Sequence, residues 1–151
     1  MLTITRKFEF DAGHRIPDHK SLCKNLHGHR YQLEITLKGS IIENDGCSEN
    51  GMLMDFSDIK LITKKNLIDI WDHSFIVYEK DFEVKNFLET IKNHRTVVVN
   101  KIPTVENLAK FAFEILKPLF RSRYGNNLKL HRLKLNETPN CWAEINESEF
   151  N

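Results

Sequence analysis

The chain has 151 residues, 40% of them hydrophobic and 28% charged, which is the composition of one ordinary globular domain spanning 1–151. Its 22 basic and 21 acidic residues leave a formal charge of +1, so the overall balance offers no electrostatic footprint for nucleic acid or an anionic membrane. The three cysteines cannot all pair within one chain, and no apolar run approaches the ~18 residues of a membrane span. With no apolar leader at its start, the chain reads as soluble, reduced and cytoplasmic.

From Leu2 to Ala12 the apolar residues Leu2, Ile4, Phe8, Phe10 and Ala12 occupy even positions, the period of a strand with one buried face. Arg6 interrupts that set, which suggests an edge or a bulge. A polar loop follows from Arg15 to Asn25. The alternation resumes through Tyr31, Leu33, Ile35 and Leu37, a second strand that Gly39 closes.

Beyond a polar loop, Phe56, Ile59, Ile62, Thr63, Asn66, Leu67 and Ile70 recur at helical spacing behind Asp55 or Ser57 as N-cap. The stretch from Asp81 to Asn93 is weakly helical, and Thr96 to Val99 is a short β-branched run. The strongest helix follows Thr104, with Val105, Leu108, Ala109, Ala112, Ile115, Leu116 and Leu119 on one stripe, and Pro118 is expected to end or kink it.

Two strands close the chain. Leu128 and Leu130 are even but Leu133 and Leu135 odd, which predicts a bulge near His131 and Arg132. Cys141, Ala143 and Ile145 then alternate with polar residues. The order strand–strand–helix–helix–strand–strand predicts an α+β two-layer domain, antiparallel hairpins covered by helices on one face.

Of seven histidines, three stand out. Residues i and i+2 of a strand share a face, so His27 and His29 project together, and both have the parity of Tyr31, Leu33 and Ile35. His14 has the parity of Phe8 and Phe10. If these two strands pair, three imidazoles meet at the buried face, a donor set suited to Zn²⁺ with a fourth position open. The plainer reading of His-x-His is strand surface, and a closed structural site with Cys23 as fourth ligand is a further alternative. His19, His73, His94 and His131 read as surface or loop residues when taken singly.

Cys23 lies among polar neighbours four residues before His27, and a thiolate beside a cation acts as a base; the alternative is a small buried thiol. Cys47 and Cys141 read as structural. Asp72-His73, after the first helix, can form a proton relay or simply end the helix. Glu137 shares the inward parity of Leu133 and Leu135. Such a carboxylate requires a partner, either a ligand with two adjacent N–H donors or an arginine of the fold or of an interface.

The segments Phe10-Asp11-Ala12-Gly13-His14, Cys23-Lys24-Asn25-Leu26-His27-Gly28-His29-Arg30-Tyr31, Gly51-Met52-Leu53-Met54-Asp55-Phe56, Asp72-His73, Pro103-Thr104-Val105-Glu106-Asn107-Leu108-Ala109 and Glu137-Thr138 occur in this order. Together they resemble the 6-pyruvoyl-tetrahydropterin synthase family, and within it the bacterial branch that makes 6-carboxy-tetrahydropterin for queuosine biosynthesis. The resemblance implies a tunnelling fold: a four-stranded antiparallel sheet with two helices on one face, closed into an oligomeric barrel by three copies. Two such trimers would stack as a hexamer with active sites between subunits.

It also implies zinc on His14, His27 and His29, Cys23 as general base, and Asp72 and His73 as relay. Glu137 would anchor the pterin edge and join the relay, with Thr104 and Glu106 near the pterin. The implied substrate is 7,8-dihydroneopterin triphosphate, converted to 6-carboxy-tetrahydropterin, acetaldehyde and triphosphate. Three residues between Cys23 and His27, and Cys rather than Glu at position 23, resemble the bacterial branch. The alternatives are a pyruvoyl-tetrahydropterin synthase, which stops after triphosphate elimination and internal redox, and a non-catalytic zinc- or pterin-binding protein.

Overall fold

The computed structural model describes residues 1–150. Strand β1 (Leu2–His14) pairs antiparallel with β2 (His27–Gly39) along its whole length, from Leu2 opposite Gly39 to His14 opposite His27, without a slip. Arg6 therefore marks no bulge. Its guanidinium lies over the Phe8 ring and donates to the Phe56 carbonyl at 2.5 Å, so an inward-facing cation is satisfied by backbone.

β2 pairs on its other side with β5 (Leu128–Thr138), which in turn pairs with β6 (Cys141–Asn146), both antiparallel. Between Thr36 opposite Arg132 and Leu37 opposite Leu130 the register skips His131, at the place where the parity of the leucines changes. One extra residue lets Leu130 and Leu133 both face the core, and both are buried.

The sheet has six strands and is mixed, which corrects the expectation of four antiparallel ones. β3 (Ser74–Tyr78) lies parallel to the end of β1 at Ala12 and Gly13, and β4 (Thr96–Val99) lies parallel to β3, in the order β4-β3-β1-β2-β5-β6. The Phe-Ile-Val run at 75–77 and the three valines at 97–99 supply β-prone residues. Parallel neighbours require a crossover, and α2 (Phe82–Glu89) provides it. α2 buries Val84 and Leu88 against Val77 and Phe75, while Ile76 faces the main core. By strand alternation α2 lies on the opposite face from the two principal helices, so the covering is not one-sided.

Those helices are α1 (Phe56–Thr63), extended by a π-helical stretch (Lys64–Ile68) and a last turn (Asp69–Trp71), and α3 (Val105–Tyr124). Asp55 caps α1 by accepting the Ser57 N–H at 2.7 Å. Thr104 caps α3 by accepting from the Asn107 N–H at 3.4 Å. Helix α3 continues past Pro118, which is exposed, and stops at Gly125, whose φ of +63° lies in the left-handed region. Leu108, Ala109, Ala112, Phe113, Leu116 and Phe120 of α3 are buried against Tyr31, Leu33, Ile35 and Leu37 of β2 and Leu130, Leu133 and Leu135 of β5. Burial of each large side chain contributes about 1.5–3 kcal/mol, so this helix-on-sheet contact dominates the stability of the fold. No helix among the described residues is long and apolar enough to cross a membrane.

Leu33→Ala should destabilise the protein by about 2–5 kcal/mol in urea titrations, because it opens a cavity under α3. Phe87→Ala, on the exposed side of α2, should change stability by less than about 0.5 kcal/mol.

Candidate metal and active site

His14 ends β1 and His27 begins β2, directly opposite, while His29 faces Ala12 one pair further in. The three rings therefore share one face, with centroids 4.6, 5.1 and 5.0 Å apart. Between the two β2 histidines no side chain fits: a Cβ on Gly28 would lie 2.8 Å from the Ala12 carbonyl oxygen. Tyr31, fully buried, forms the floor, stacked on Phe10 at 5.1 Å, with its hydroxyl 3.5 Å from His14 Nδ1.

Backbone carbonyls set the imidazole tautomers. His14 Nδ1 is 2.7 Å from the Pro103 oxygen and His27 Nδ1 is 2.7 Å from the Asn25 oxygen. A carbonyl only accepts, so both Nδ1 atoms carry the proton and both Nε2 atoms keep a lone pair. His14 Nε2 is buried without a hydrogen-bond partner, a state that costs about 1–3 kcal/mol unless something occupies the lone pair. Donor atoms of His14, His27 and His29 all lie within 4.8 Å of one another. Three clustered imidazoles, two of them with Nδ1 held by backbone and Nε2 left as a lone pair, have the donor chemistry of a metal site. The residues fit a bound metal ion.

Burial drives the His14 imidazole down to about 4, against the pull of the Pro103 carbonyl and helped by repulsion from His27 and His29. His29 is lowered as well, by burial and the charge of His27, opposed by Glu137. Glu137 reaches the same cluster from β5, with Oε1 3.5 Å from His14 Nε2 and 3.7 Å from His29 Nε2. The inward parity read from Leu133 and Leu135 thus holds through position 137.

Cys23 sits exposed on a short 3₁₀ turn (Leu22–Lys24). Its carbonyl accepts from the Ile16 N–H at 2.8 Å, which ties this loop back to the end of β1. The Cys23 thiol is absent from the imidazole donor group, so the closed site with Cys23 as a ligand is not formed. Cys47 is partly buried, but Cys141 is exposed at the start of edge strand β6, contrary to its expected structural role.

Asp72 and His73 lie elsewhere within the chain. Asp72 Oδ1 accepts the Asp11 N–H at 2.9 Å and stands 3.0 Å from His73 Nδ1, while the His73 N–H donates to the Asp11 carbonyl at 2.7 Å. Burial opposes ionisation of Asp72, but the Asp11 N–H, the His73 imidazole and Arg95 hold its carboxyl below the usual range. His73 has φ of +56° and is exposed. With Asp11, Gly13, Gly28, Arg30 and Ser74 it lines an open trough of about 400 Å³. Asp11, Gly13 and Arg30 have the parity opposite to the ligands, so this pair occupies the other face of the same two strands.

Thr104 is half-buried one residue beyond the carbonyl that holds His14, whereas Glu106 is exposed in the first turn of α3. Sequence reasoning missed the Pro103 and Asn25 carbonyls, since backbone acceptors leave no signature in residue type. It also missed Arg15, next to His14, which binds Asp81 at the start of α2 through two hydrogen bonds of 2.7 and 2.6 Å. A separate open groove of about 620 Å³ lies between β4 and α3, lined by Trp71, Val97, Val99 and Phe111 together with Glu79 and Glu114, and brings no imidazole or thiol with it.

Residues 3–148 match the family described as 6-pyruvoyl tetrahydropterin synthase. A protein of Rickettsia felis named 6-carboxy-5,6,7,8-tetrahydropterin synthase is 39% identical over 146 residues, covering 96% of this chain and all of that one. One of Haemophilus influenzae with the same name is 33% identical, covering 97% of this chain and all of that one. Among solved structures, an uncharacterized Wolinella succinogenes protein, WS1659, superposes with a TM-score of 0.76 at 22% identity, over 97% of this chain and 98% of that one. The 6-pyruvoyl tetrahydropterin synthase of Caenorhabditis elegans gives 0.64 at 25%, over 96% and 94%.

In metal-free protein, His14 binds a proton near pH 6.5 when unfolded but only near 4 when folded. The unfolded state then holds more protons between those values, so stability falls as pH drops through that window. The loss should approach about 3 kcal/mol. Urea titrations of the metal-free protein from pH 7 to 4 check this: His14→Asn should flatten the slope, whatever it does to stability at pH 7.

Proposed function

The chain belongs to the 6-pyruvoyl tetrahydropterin synthase family, and from that premise we propose that it is a zinc-dependent 6-carboxy-5,6,7,8-tetrahydropterin synthase. It converts 7,8-dihydroneopterin triphosphate and one water to 6-carboxy-tetrahydropterin, acetaldehyde and triphosphate, in the cytoplasm and in queuosine (7-deazaguanine) biosynthesis. The observation that carries the metal chemistry is the cluster of three imidazoles in which backbone holds the Nδ1 protons of His14 and His27 while the buried His14 Nε2 stays without a hydrogen-bond partner.

His14, His27 and His29 would hold the zinc, which supplies Lewis-acid polarisation of the substrate's side-chain oxygens when bound. The protein's own groups do the rest. Glu137 accepts two N–H bonds from the pterin edge and so orients the ring. Cys23, on an exposed turn tied to the end of β1, takes a proton from the side chain. Asp72 orients His73, which relays a proton. Thr104 and Glu106, at the start of α3, flank the pterin.

Because Asp72 and His73 lie behind the sheet from the ligands, each pair serves a site on a neighbouring copy. The outer edge of β1 is paired only at Ala12 and Gly13, and β6 has no neighbour on its far side among the described residues. Two open antiparallel edges favour closure of three copies into a barrel, and two such trimers make the hexamer.

Incubation with 7,8-dihydroneopterin triphosphate should yield acetaldehyde and a carboxylated pterin by mass; a pyruvoyl pterin as end product would assign the other reaction of the family. Cys23→Ala should lower turnover by a factor of at least about 100 while bound zinc, measured by elemental analysis, stays stoichiometric. Chelation should abolish turnover and added zinc restore it.

A further inference from the structure

β3 meets β1 at only two residue pairs, Ala12 opposite Ser74 and Gly13 opposite Phe75, and the residue that leads into it is His73. A non-glycine residue at φ of +56° is strained and persists only where its surroundings over-determine it. Two ladder pairs alone do not supply that.

The ends of the segment do. At its front the Asp11 N–H donates to Asp72 Oδ1 at 2.9 Å, and the Asp11 carbonyl accepts the His73 N–H at 2.7 Å. At its far end β3 turns into α2 through Asp81, whose N–H donates to the Tyr78 carbonyl at 2.9 Å. The Asp81 carboxylate is only 4% exposed and accepts Arg15 Nε and Nη2 at 2.7 and 2.6 Å. β3 is thus fastened to one stretch of chain, Asp11 to Arg15, at both ends, and the two ladder pairs lie between. A bidentate arginine–carboxylate bridge fixes direction as well as distance, which a lysine in its place would not. Phe75 leaves no slack for a shift, since its ring lies 2.6 Å from the position of a Cβ on Gly13.

The bridge acts on a unit that can loosen separately. α2 buries only Val84 and Leu88, in a cluster with Val77 and Phe75 apart from the main core. Loss of the bridge therefore frees the crossover while α3 stays packed on β2 and β5.

We propose that Arg15 and Asp81 are positioning residues for His73: their bridge locks β3 against the end of β1 and so holds the left-handed backbone that presents the His73 imidazole to the trough. The lock is a property of the backbone; only its effect on turnover rests on the function proposed above.

The parent, loaded with zinc, is compared with Arg15→Gln, Asp81→Asn and the double variant, each checked for folding by thermal melting. Arg15→Lys, which keeps the charge but not the planar fork, replaces Arg15→Gln if that variant does not fold. Native-state hydrogen exchange reads the lock directly. The His73 and Phe75 amides should exchange about 10- to 100-fold faster in each single variant and no faster still in the double one, with the Leu33 amide unchanged. Turnover of 7,8-dihydroneopterin triphosphate should fall about 10-fold through kcat, yet Arg15→Gln should lower it no further when His73 is already replaced by alanine. Unchanged exchange at His73 and Phe75 would overturn the lock. A further loss of turnover in the His73→Ala background, or a rise in Leu33 exchange matching that at His73, would overturn the positioning role in favour of a general structural one. Faster exchange at His73 in variants of a protein that does not turn over this substrate would support the lock and refute the functional reading instead.

Discussion

The site depends on the register of one strand pair. β1 and β2 are antiparallel from Leu2 opposite Gly39 to His14 opposite His27, and the same alternation that buries Phe10, Tyr31 and Leu33 points His14, His27 and His29 to one side. A slip of one residue would turn the imidazoles of one strand to the opposite face and its core residues with them. Core packing under α3 and imidazole placement are thus one constraint. The apolar stripe keeps the register, and the register places the imidazoles.

The helix layer also reaches the site directly. The Pro103 carbonyl, one residue before the cap of α3, accepts the His14 Nδ1–H, so docking of the helix sets the tautomer of a buried imidazole. That arrangement leaves the lone pair of His14 Nε2 buried without a hydrogen-bond partner. Arg15 adds a second tie, joining the residue after His14 to Asp81 at the start of α2. The end of β1 is accordingly held from both sides of the sheet.

The two faces of β1 and β2 carry different chemistry. One bears the imidazoles and Glu137; the other bears Asp11, Asp72, His73 and the trough floored by Gly13 and Gly28. β3 makes this division, because it enters the sheet at Ala12 and Gly13 immediately after His73. Gly13 tolerates that entry since a Cβ there would lie 2.6 Å from the Phe75 ring.

Much of this was legible in residue order. Period-two parity gave the two long strands, the common face of His14, His27 and His29, the inward Glu137 and the bulge at His131, because alternation within a strand is a local property. The stripe of α3 was equally local, and Thr104 announced its start. Nothing local marked β3 and β4 as parallel neighbours of β1, because parallel pairing is decided by a crossover between segments far apart in sequence. The same holds for the Pro103 and Asn25 carbonyls, the Arg15–Asp81 pair and the separation of Asp72-His73 from the ligands. Sequence alone determined which donors exist and which face of its own strand each occupies. Tertiary structure decided which faces meet, since that depends on register, crossover and helix docking, and so on contacts that no single segment contains.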